Sequence, residues 1–304
     1  MIIPPYLSSG DTVALAAPAR KISETEILPA VTWLKSVGFN VFYDERLFAQ
    51  NHQFAGDDSV RAAYFQDLLD NDMVNAIWCV RGGYGSARII DKLNFNHFRE
   101  HPKWICGYSD ITVFHNHIHR HLQTATIHAT MPINVTEVSV QTSVVQSFLD
   151  ALTGKLLTYE IAPHSLSRWK PFSGMMVGGN LSMLYSLIGS PSDIDTTDKV
   201  LFIEDLDEYL YHIDRMMLNL KRSGKLQNVK ALLVGHLSEM HDNTIPFGKT
   251  AEEIVADHCR DFGFPLIFNV PAGHLPDNRA FRFGCQTEGY VNNNQFIINN
   301  LNHA

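Results

Sequence analysis

Three polar residues that can carry out hydrolysis stand at the ends of apolar segments: Ser109, Glu204 and His274. A serine hydroxyl becomes a good nucleophile when a base removes its proton, and an imidazole does this best near neutral pH when a carboxylate fixes its tautomer. The three residue types together can therefore form one functional set for nucleophilic catalysis. Each also fits an ordinary role, as a helix N-cap, an acid at a strand end and a turn residue respectively. Their spacing alone leaves both interpretations open.

The sequence around Ser109 predicts a buried strand that begins at Trp104, then a tight turn, then a helix over residues 110–122. A turn between a strand and a helix projects a serine Oγ away from the backbone, and the N–H groups that follow point towards the same place. This is the position in which hydrolases hold a nucleophile.

A second turn is rich in glycine and follows a predicted strand over residues 76–80. Glycines at the carboxyl end of a strand allow backbone N–H groups to approach an anionic ligand or a developing oxyanion, although the same pattern also occurs as simple turn chemistry. The position favours a ligand site, because ligands of open parallel sheets bind at the carboxyl ends of the strands. The turn has the sequence Arg81-Gly82-Gly83-Tyr84-Gly85.

The predicted helix after Ser109 carries four histidines. His115 and His119 share one face of the helix, and His117 and His121 share another, so at most one pair can chelate the same ion. No carboxylate or cysteine nearby completes a set of ligands. We therefore predict partly solvated histidines, with no metal site and no cofactor.

The composition is that of an ordinary globular protein, with 304 residues, 45% of them hydrophobic, and a formal charge of -8. The length favours two domains, and the acidic charge argues against nucleic acid as a partner, because binding phosphates requires clustered Lys and Arg. There is no signal-peptide pattern and no apolar run of the roughly 18 residues that cross a membrane. We expect a cytoplasmic protein with no membrane partner. The cysteines form no CxxC pair and are predicted to be buried free thiols: Cys79, Cys106, Cys259 and Cys285.

Strands and helices alternate through the first half of the chain, as in parallel βαβ units. Strands are predicted at residues 12–17, 40–43, 76–80, 104–107 and 126–128. Ser23 and Glu26 can form a capping box. Because Pro29 interrupts a helix that starts at Ser23, we predict that the first helix begins near Pro29.

The βα rhythm is lost after residue 153, which predicts the passage into a second domain. We divide the chain into an N-terminal domain over residues 1–155, a linker over 156–172 and a C-terminal α/β domain over 173–304. Strands are predicted at residues 198–203, 231–235 and 266–270. Residues 281–298 alternate as in a hairpin, with its turn at Asn292-Asn293-Asn294.

A series of short motifs runs along almost the whole chain: Ala17-Pro18, Phe54-Ala55-Gly56 with Arg61, Val80-Arg81-Gly82-Gly83-Tyr84-Gly85, Gly107-Tyr108-Ser109-Asp110, Gly178-Gly179-Asn180-Leu181, Glu204-Asp205 with Ile213-Asp214-Arg215, and Gly273-His274. No single motif is decisive, but their order and separations form a specific signature. On these motifs the chain resembles the L,D-carboxypeptidase family, the murein tetrapeptide carboxypeptidases. This is a family of serine peptidases that has a second branch of microcin C self-immunity proteins.

The resemblance implies Ser109 as the nucleophile, His274 as the general base and then the general acid, and Glu204 as the carboxylate that orients the imidazole. It also implies an oxyanion hole made by the backbone N–H groups of Gly83 and Asp110.

Further residues are predicted to contact the substrate. We name Arg81, Tyr84 and Asn180 as substrate-binding residues. The free carboxylate of the substrate requires a cation, and the candidates are Arg81, Arg88, Arg279 and Arg282.

The fold implied by the resemblance is an N-terminal flavodoxin-like parallel-sheet domain carrying the serine, plus a C-terminal α/β domain carrying the other two residues. The implied activity is that of a metal-independent serine carboxypeptidase in peptidoglycan recycling. Such an enzyme removes the terminal D-alanine from muropeptide tetrapeptides at an L,D-peptide bond. Members of the family tend to be homodimers, so a homodimer is expected here.

One motif departs from the family, and two other functions stay open. The family often has His-Gly-Pro-Met where this chain has His128-Ala129-Thr130-Met131, which predicts a different shape of the pocket. A peptidase of the microcin C self-immunity type would hydrolyse aminoacyl-nucleotide conjugates. A non-catalytic module would instead bind small anions or nucleotides at the glycine turn.

Overall fold

The computed structural model describes residues 1–137 and 142–304. Five parallel strands in these ranges have the order β2-β1-β3-β4-β5. This order is that of a flavodoxin-like sheet, and it confirms the fold predicted for the first half of the chain. The strands are β1 (Thr12–Ala16), β2 (Asn40–Phe42), β3 (Ala76–Cys79), β4 (Trp104–Gly107) and β5 (Thr126–His128).

Helices connect these strands, and every residue of β3 and of β4 is buried. Such continuous burial is typical of central parallel strands that are covered on both faces. A 3-10 turn over Ser109–Ile111 precedes the helix that carries the four histidines. The helices are α1 (Glu24–Ser36), α2 (Asp58–Asp70), α3 (Ser86–Ile89), α4 (Asn96–Glu100), α5 (Thr112–Leu122) and α6 (Ser143–Leu152).

Helix α1 begins at Glu24 and contains Pro29, so the predicted start near Pro29 was wrong. The capping box forms as predicted, and the Ser23 N–H donates to Glu26 Oε2 at 2.8 Å. The capping box satisfies N–H groups at the start of the helix, whereas proline removes only one hydrogen bond further along. The cap therefore determines where this helix begins.

A second sheet organises the C-terminal half of the chain, in the order β10-β9-β8-β7-β12-β13-β6. Strands β7 to β10 pair in parallel, and β12, β13 and β6 add antiparallel pairs. The strands are β6 (Leu157–Ile161), β7 (Phe172–Asn180), β8 (Val200–Leu206), β9 (Ala231–Ser238), β10 (Leu266–Ile267), β11 (Phe281–Phe283), β12 (Gln286–Asn292) and β13 (Gln295–Asn300), and the helices are α7 (Leu181–Leu187), α8 (Leu210–Arg222) and α9 (Ala251–His258).

Strands β11 and β6 do not follow the predicted division of the chain. Strand β11 pairs antiparallel with β5, so it extends the first sheet. The predicted hairpin is confirmed for β12 and β13, with Asn293 and Asn294 at its turn, but residues 281–283 lie outside it. Strand β6 lies within the predicted linker and pairs with β13. The division of the chain into domains stays a prediction.

The four cysteines are free and buried, as predicted. Within the described ranges, the helices are too short or too polar to cross a membrane.

Two of the four histidines of α5 are buried, which differs from the prediction of partly solvated side chains. His115 Nε2 donates to the Gly107 carbonyl at 2.9 Å, and His119 Nε2 is hydrogen-bonded to Thr126 Oγ1 at 3.1 Å. Burial lowers the pKa of His115 to about 4 and that of His119 to about 3. Burial also holds the pKa of His128, on β5, well below its usual value.

Acid should destabilise this fold through its buried histidines. They stay neutral in the folded protein, while the unfolded chain binds protons below about pH 6.5, so the free energy of unfolding should fall as the pH falls from about 6.5 towards 4. His115 and His119 each contribute on the order of 3 kcal/mol to this loss. Urea unfolding at pH 7 and pH 5 measures it.

The variant His128→Phe keeps a ring at this position and removes the titrating group, so it should weaken the pH dependence. The matched control is His52→Asn, because His52 is exposed and has a φ of 55°, which asparagine tolerates. An unchanged pH dependence in His128→Phe, equal to that of the control, would contradict the assignment.

Candidate active site

Ser109 lies at the carboxyl end of β4, where the chain turns into α5. Its φ is 62°, which is uncommon for a residue other than glycine and is typical of a strained nucleophile turn. The glycine turn packs against it: a methyl group on Gly82 would lie 3.1 Å from Ser109 Oγ and 3.4 Å from the Asp110 nitrogen. The structure therefore brings together the two turns that the sequence singled out.

Asp110 joins these two turns through its buried carboxylate. Its Oδ2 accepts a hydrogen bond from the Ser86 N–H at 2.8 Å, at the start of α3. Burial raises the pKa of Asp110, and the hydrogen bonds from Ser86 only partly oppose this effect. Within residues 1–137 and 142–304, neither the Gly83 N–H nor the Asp110 N–H donates a hydrogen bond to the protein. Both N–H groups are therefore available for an oxyanion.

His274 and Glu204 form a direct hydrogen bond, with His274 Nδ1 and Glu204 Oε2 2.6 Å apart. Glu204 is fully buried at the end of β8, and a methyl group on Gly273 would lie 3.0 Å from Glu204 Oε2. Burial lowers the pKa of His274, but the charge and hydrogen bond of Glu204 outweigh it, and the pKa lies above its usual value. This pair is an imidazole oriented by a carboxylate, as in a catalytic triad.

Tyr108, the residue before Ser109, packs against the imidazole of this pair. Its ring centroid lies 4.7 Å from that of His274. In the described part of the chain, the Ser109 hydroxyl has no hydrogen-bond partner, so the grouping of Ser109 with His274 and Glu204 as a triad stays a prediction. A cavity of about 580 Å³ opens beside the two rings, and its lining includes Asn134, Leu206, Glu239 and Leu275.

The end of β7 packs directly on the start of α5. The Asn180 N–H donates to Thr112 Oγ1 at 3.0 Å, and a methyl group on Gly179 would lie 2.4 Å from that oxygen. Asn180 Nδ2 also donates to Asp205 Oδ1 at 2.9 Å. Burial, aided by the negative charge of Glu204, raises the pKa of Asp205 to about 7. Asn180 is thus engaged in the protein, and its predicted contact with substrate stays a prediction.

Sequence reasoning did not identify Thr112 or Asp205 as parts of the site. Their positions could have indicated a role near the site. Asp205 directly follows Glu204 in β8, and Thr112 is one helical turn after Ser109.

Most of the arginines that were candidates for binding the substrate carboxylate have other partners. Arg81 Nη1 lies 3.7 Å from Glu26 Oε1, and Arg88 forms an ion pair with Asp58. Arg279 is paired with Asp277 at 2.8 Å, and Tyr84 is exposed beside the ring of Phe54.

Arg282 is fully buried and donates to the Ala151, Asp150 and Lys155 carbonyls around the end of α6. The suggestion that Arg282 binds substrate was wrong, because its guanidinium completes the hydrogen bonds of this helix end.

One cluster of side chains that can hold a metal ion lies in the described ranges. It consists of Asp72, His97 and His101, whose ligand atoms all lie within 4.8 Å of one another. The histidines of α5 are not part of it.

A flavodoxin-like sheet joined to a second α/β sheet, with a serine turn beside an imidazole and carboxylate pair, defines a two-domain α/β hydrolase. Comparison with known families agrees with this class. The model of the LD-carboxypeptidase N-terminal domain matches residues 13–129, and that of the LD-carboxypeptidase C-terminal domain matches residues 173–288. The chain therefore belongs to the LD-carboxypeptidase family and is a peptidase of the carboxypeptidase type.

The relatives agree with this assignment. A probable murein peptide carboxypeptidase of Bacillus subtilis is 34% identical over 290 residues, which is 93% of this chain and 90% of the relative. The murein tetrapeptide carboxypeptidase of Pseudomonas aeruginosa is 24% identical over 285 residues, covering 90% and 91%.

Solved structures extend the likeness to the whole fold. The muramoyltetrapeptide carboxypeptidase of Oxalobacter formigenes superposes with a TM-score of 0.86 at 25% identity, covering 96% of this chain and 99% of the other. The microcin C7 self immunity protein MccF superposes with a TM-score of 0.87 at 20% identity, covering both chains completely. At that identity the second likeness concerns the fold alone.

Replacing Glu204 should lower the pKa of His274. Glu204→Gln removes the negative charge and leaves the imidazole buried, so burial becomes the dominant effect. An NMR titration of the His274 ring in both proteins measures the shift. Asp205→Asn, which removes a more weakly acting charge, should lower that pKa less. A His274 pKa that is the same in Glu204→Gln and wild type would show that the carboxylate does not govern the imidazole.

Proposed function

We propose that this protein is a serine carboxypeptidase that removes the terminal D-alanine from muropeptide tetrapeptides, at an L,D-peptide bond, in peptidoglycan recycling. The observation that carries the proposal is the 2.6 Å hydrogen bond between His274 and Glu204, next to the Ser109 turn. The murein substrates in the names of the Bacillus and Pseudomonas relatives support the choice of substrate.

In this mechanism His274 removes the proton of Ser109, and Oγ attacks the carbonyl carbon of the scissile bond. The tetrahedral oxyanion accepts hydrogen bonds from the N–H groups of Gly83 and Asp110. His274 then gives its proton to the departing amine of D-alanine, leaving an acyl-enzyme. Water, deprotonated by His274, attacks the ester and restores the serine. Glu204 holds the imidazole in the required tautomer and stabilises its charged form.

The packing of the two turns is suited to this chemistry. An oxyanion hole stabilises a transition state only when its donors are held in place before the reaction, and one donor is typically worth about 2.7–4 kcal/mol. Gly82 lies against Ser109, and Asp110 ties the serine turn to α3, so both proposed donors belong to one rigid unit.

The carboxypeptidase is favoured over both alternatives. A self-immunity peptidase for aminoacyl nucleotides calls for aromatic side chains that can stack on a base, but Trp78 and Trp104 are buried in the core and Trp169 packs on Phe296. Membership of a peptidase family argues against a non-catalytic anion-binding module.

The remaining parts of the proposal are a cytoplasmic location, a homodimer, and substrate contacts from Arg81, Tyr84 and Asn180. The proposal also includes the division of the chain into an N-terminal domain over residues 1–155 and a C-terminal domain over residues 173–304. The nucleophile belongs to the first domain, and the histidine and the glutamate belong to the second.

The variant Ser109→Ala should lose D-alanine release by roughly three to four orders of magnitude or more, because the nucleophile is absent. Mass spectrometry of a muropeptide mixture before and after incubation should show that the wild type removes one alanine, and only from tetrapeptides. Ser8→Ala, at an exposed serine, is the control and should match the wild type. Release by Ser109→Ala at the wild-type rate would refute the mechanism.

Chelators should leave the activity unchanged, since the proposed steps use only side chains and backbone groups. The test is D-alanine release after dialysis against EDTA, with and without added zinc. Loss of activity that zinc restores would instead assign the reaction to a metal centre.

A further inference from the structure

Arg20 lies across the glycine turn. A methyl group on Gly83 would lie 2.3 Å from Arg20 Cδ and 3.2 Å from its Nε, so the stem of this arginine lies directly against the glycine. The backbone is held at the same place, because the Arg20 N–H donates to the Gly82 carbonyl at 3.4 Å. Gly82 in turn packs against Ser109. One residue of the turn therefore contacts the serine, and the next contacts the arginine.

The guanidinium of Arg20 forms no ion pair within the described residues. Its side chain is exposed, and none of the ion pairs within residues 1–137 and 142–304 involves it. The nearby Arg81 has Glu26 as a neighbour, and Arg88 is paired with Asp58. Within the described residues, Arg20 is thus an unpaired cation that lies against the glycine turn, and the same turn contacts the serine.

We infer that Arg20 binds the free carboxylate of the residue that the enzyme releases. The inference rests on the proposed carboxypeptidase function and adds the recognition element that this function lacks. A carboxypeptidase must distinguish the end of a chain from an internal peptide bond, and the terminal carboxylate is the group that differs. Guanidinium binds a carboxylate with two parallel hydrogen bonds, which fixes both its position and its orientation.

Binding of the carboxylate by Arg20 would also position the substrate relative to the oxyanion hole. Gly83 supplies one of the two proposed oxyanion donors, and the stem of Arg20 packs on that same residue. A carboxylate bound by Arg20 is therefore placed relative to the oxyanion hole by a single turn of the backbone. Substrates without the charge lose a binding contact, and the chemistry at Ser109 is otherwise the same.

The test compares a tetrapeptide muropeptide with the same peptide ending in D-alaninamide. Wild-type enzyme should prefer the acid. Arg20→Ala should lower kcat/KM for the acid by about 10- to 100-fold, mainly through KM, as expected for one charged hydrogen-bonding contact. The same variant should leave kcat/KM for the amide unchanged. Arg20→Lys should recover part of the preference, because it restores the charge without the paired geometry.

Two further variants act as controls. Arg120→Ala removes another exposed arginine, at the far end of α5, and should behave as wild type. Arg81→Ala tests the competing cation of the same turn. The inference is overturned if Arg20→Ala lowers kcat/KM equally for the acid and the amide. It is also overturned if Arg81→Ala alone abolishes the preference for the acid.

Failure of this inference can be told apart from failure of the proposed function. An enzyme that releases no D-alanine from the tetrapeptide refutes the function. Calorimetry with the inert Ser109→Ala protein still measures the contact: the acid should bind more tightly than the amide, and Arg20→Ala in this background should remove the difference. Equal binding of acid and amide to Ser109→Ala would refute the role of Arg20.

Discussion

The packing of the end of β7 on the start of α5 is the contact on which the site depends. The Asn180 N–H reaches Thr112 Oγ1, and Gly179 lies so close to Thr112 that a side chain on it would clash. Because Asn180 pairs with Glu204 across the neighbouring strands, this contact fixes the serine turn relative to the carboxylate. A small shift of one sheet against the other would move Ser109 relative to His274, the nucleophile and base of the proposed mechanism, and misplacements of about 1 Å are already costly in catalysis.

Burial determines the electrostatics of the site. Glu204 and Asp205 are adjacent and buried, and both burial and the negative charge of Glu204 disfavour the charged form of Asp205. The effect is visible on Asp205, whose pKa rises to about 7. Asp205 hydrogen-bonds to Asn180, while Glu204 is directed at His274. Neighbouring acids thus have different tasks, one in docking the sheets and one in orienting the imidazole.

Overall shape does not select a substrate in this fold. A muramoyltetrapeptide carboxypeptidase and a self-immunity protein both superpose on the chain with TM-scores near 0.86. Specificity must therefore come from the side chains that the shared fold carries. In this chain, Glu239 lies in the wall of the cavity beside His274, and the exposed Arg20 packs on Gly83 of the glycine turn.

The sequence by itself determined the features that depend on local pattern. Apolar runs marked the strands, the capping box marked a helix start, and the residues with possible chemistry were recognisable because they end those runs. Tertiary structure decided the rest. Burial of His115 and His119, the crossing of β11 into the first sheet and the position of Arg20 all depend on contacts between segments far apart in the chain. No local pattern encodes such contacts, and the Glu204–His274 hydrogen bond is one of them.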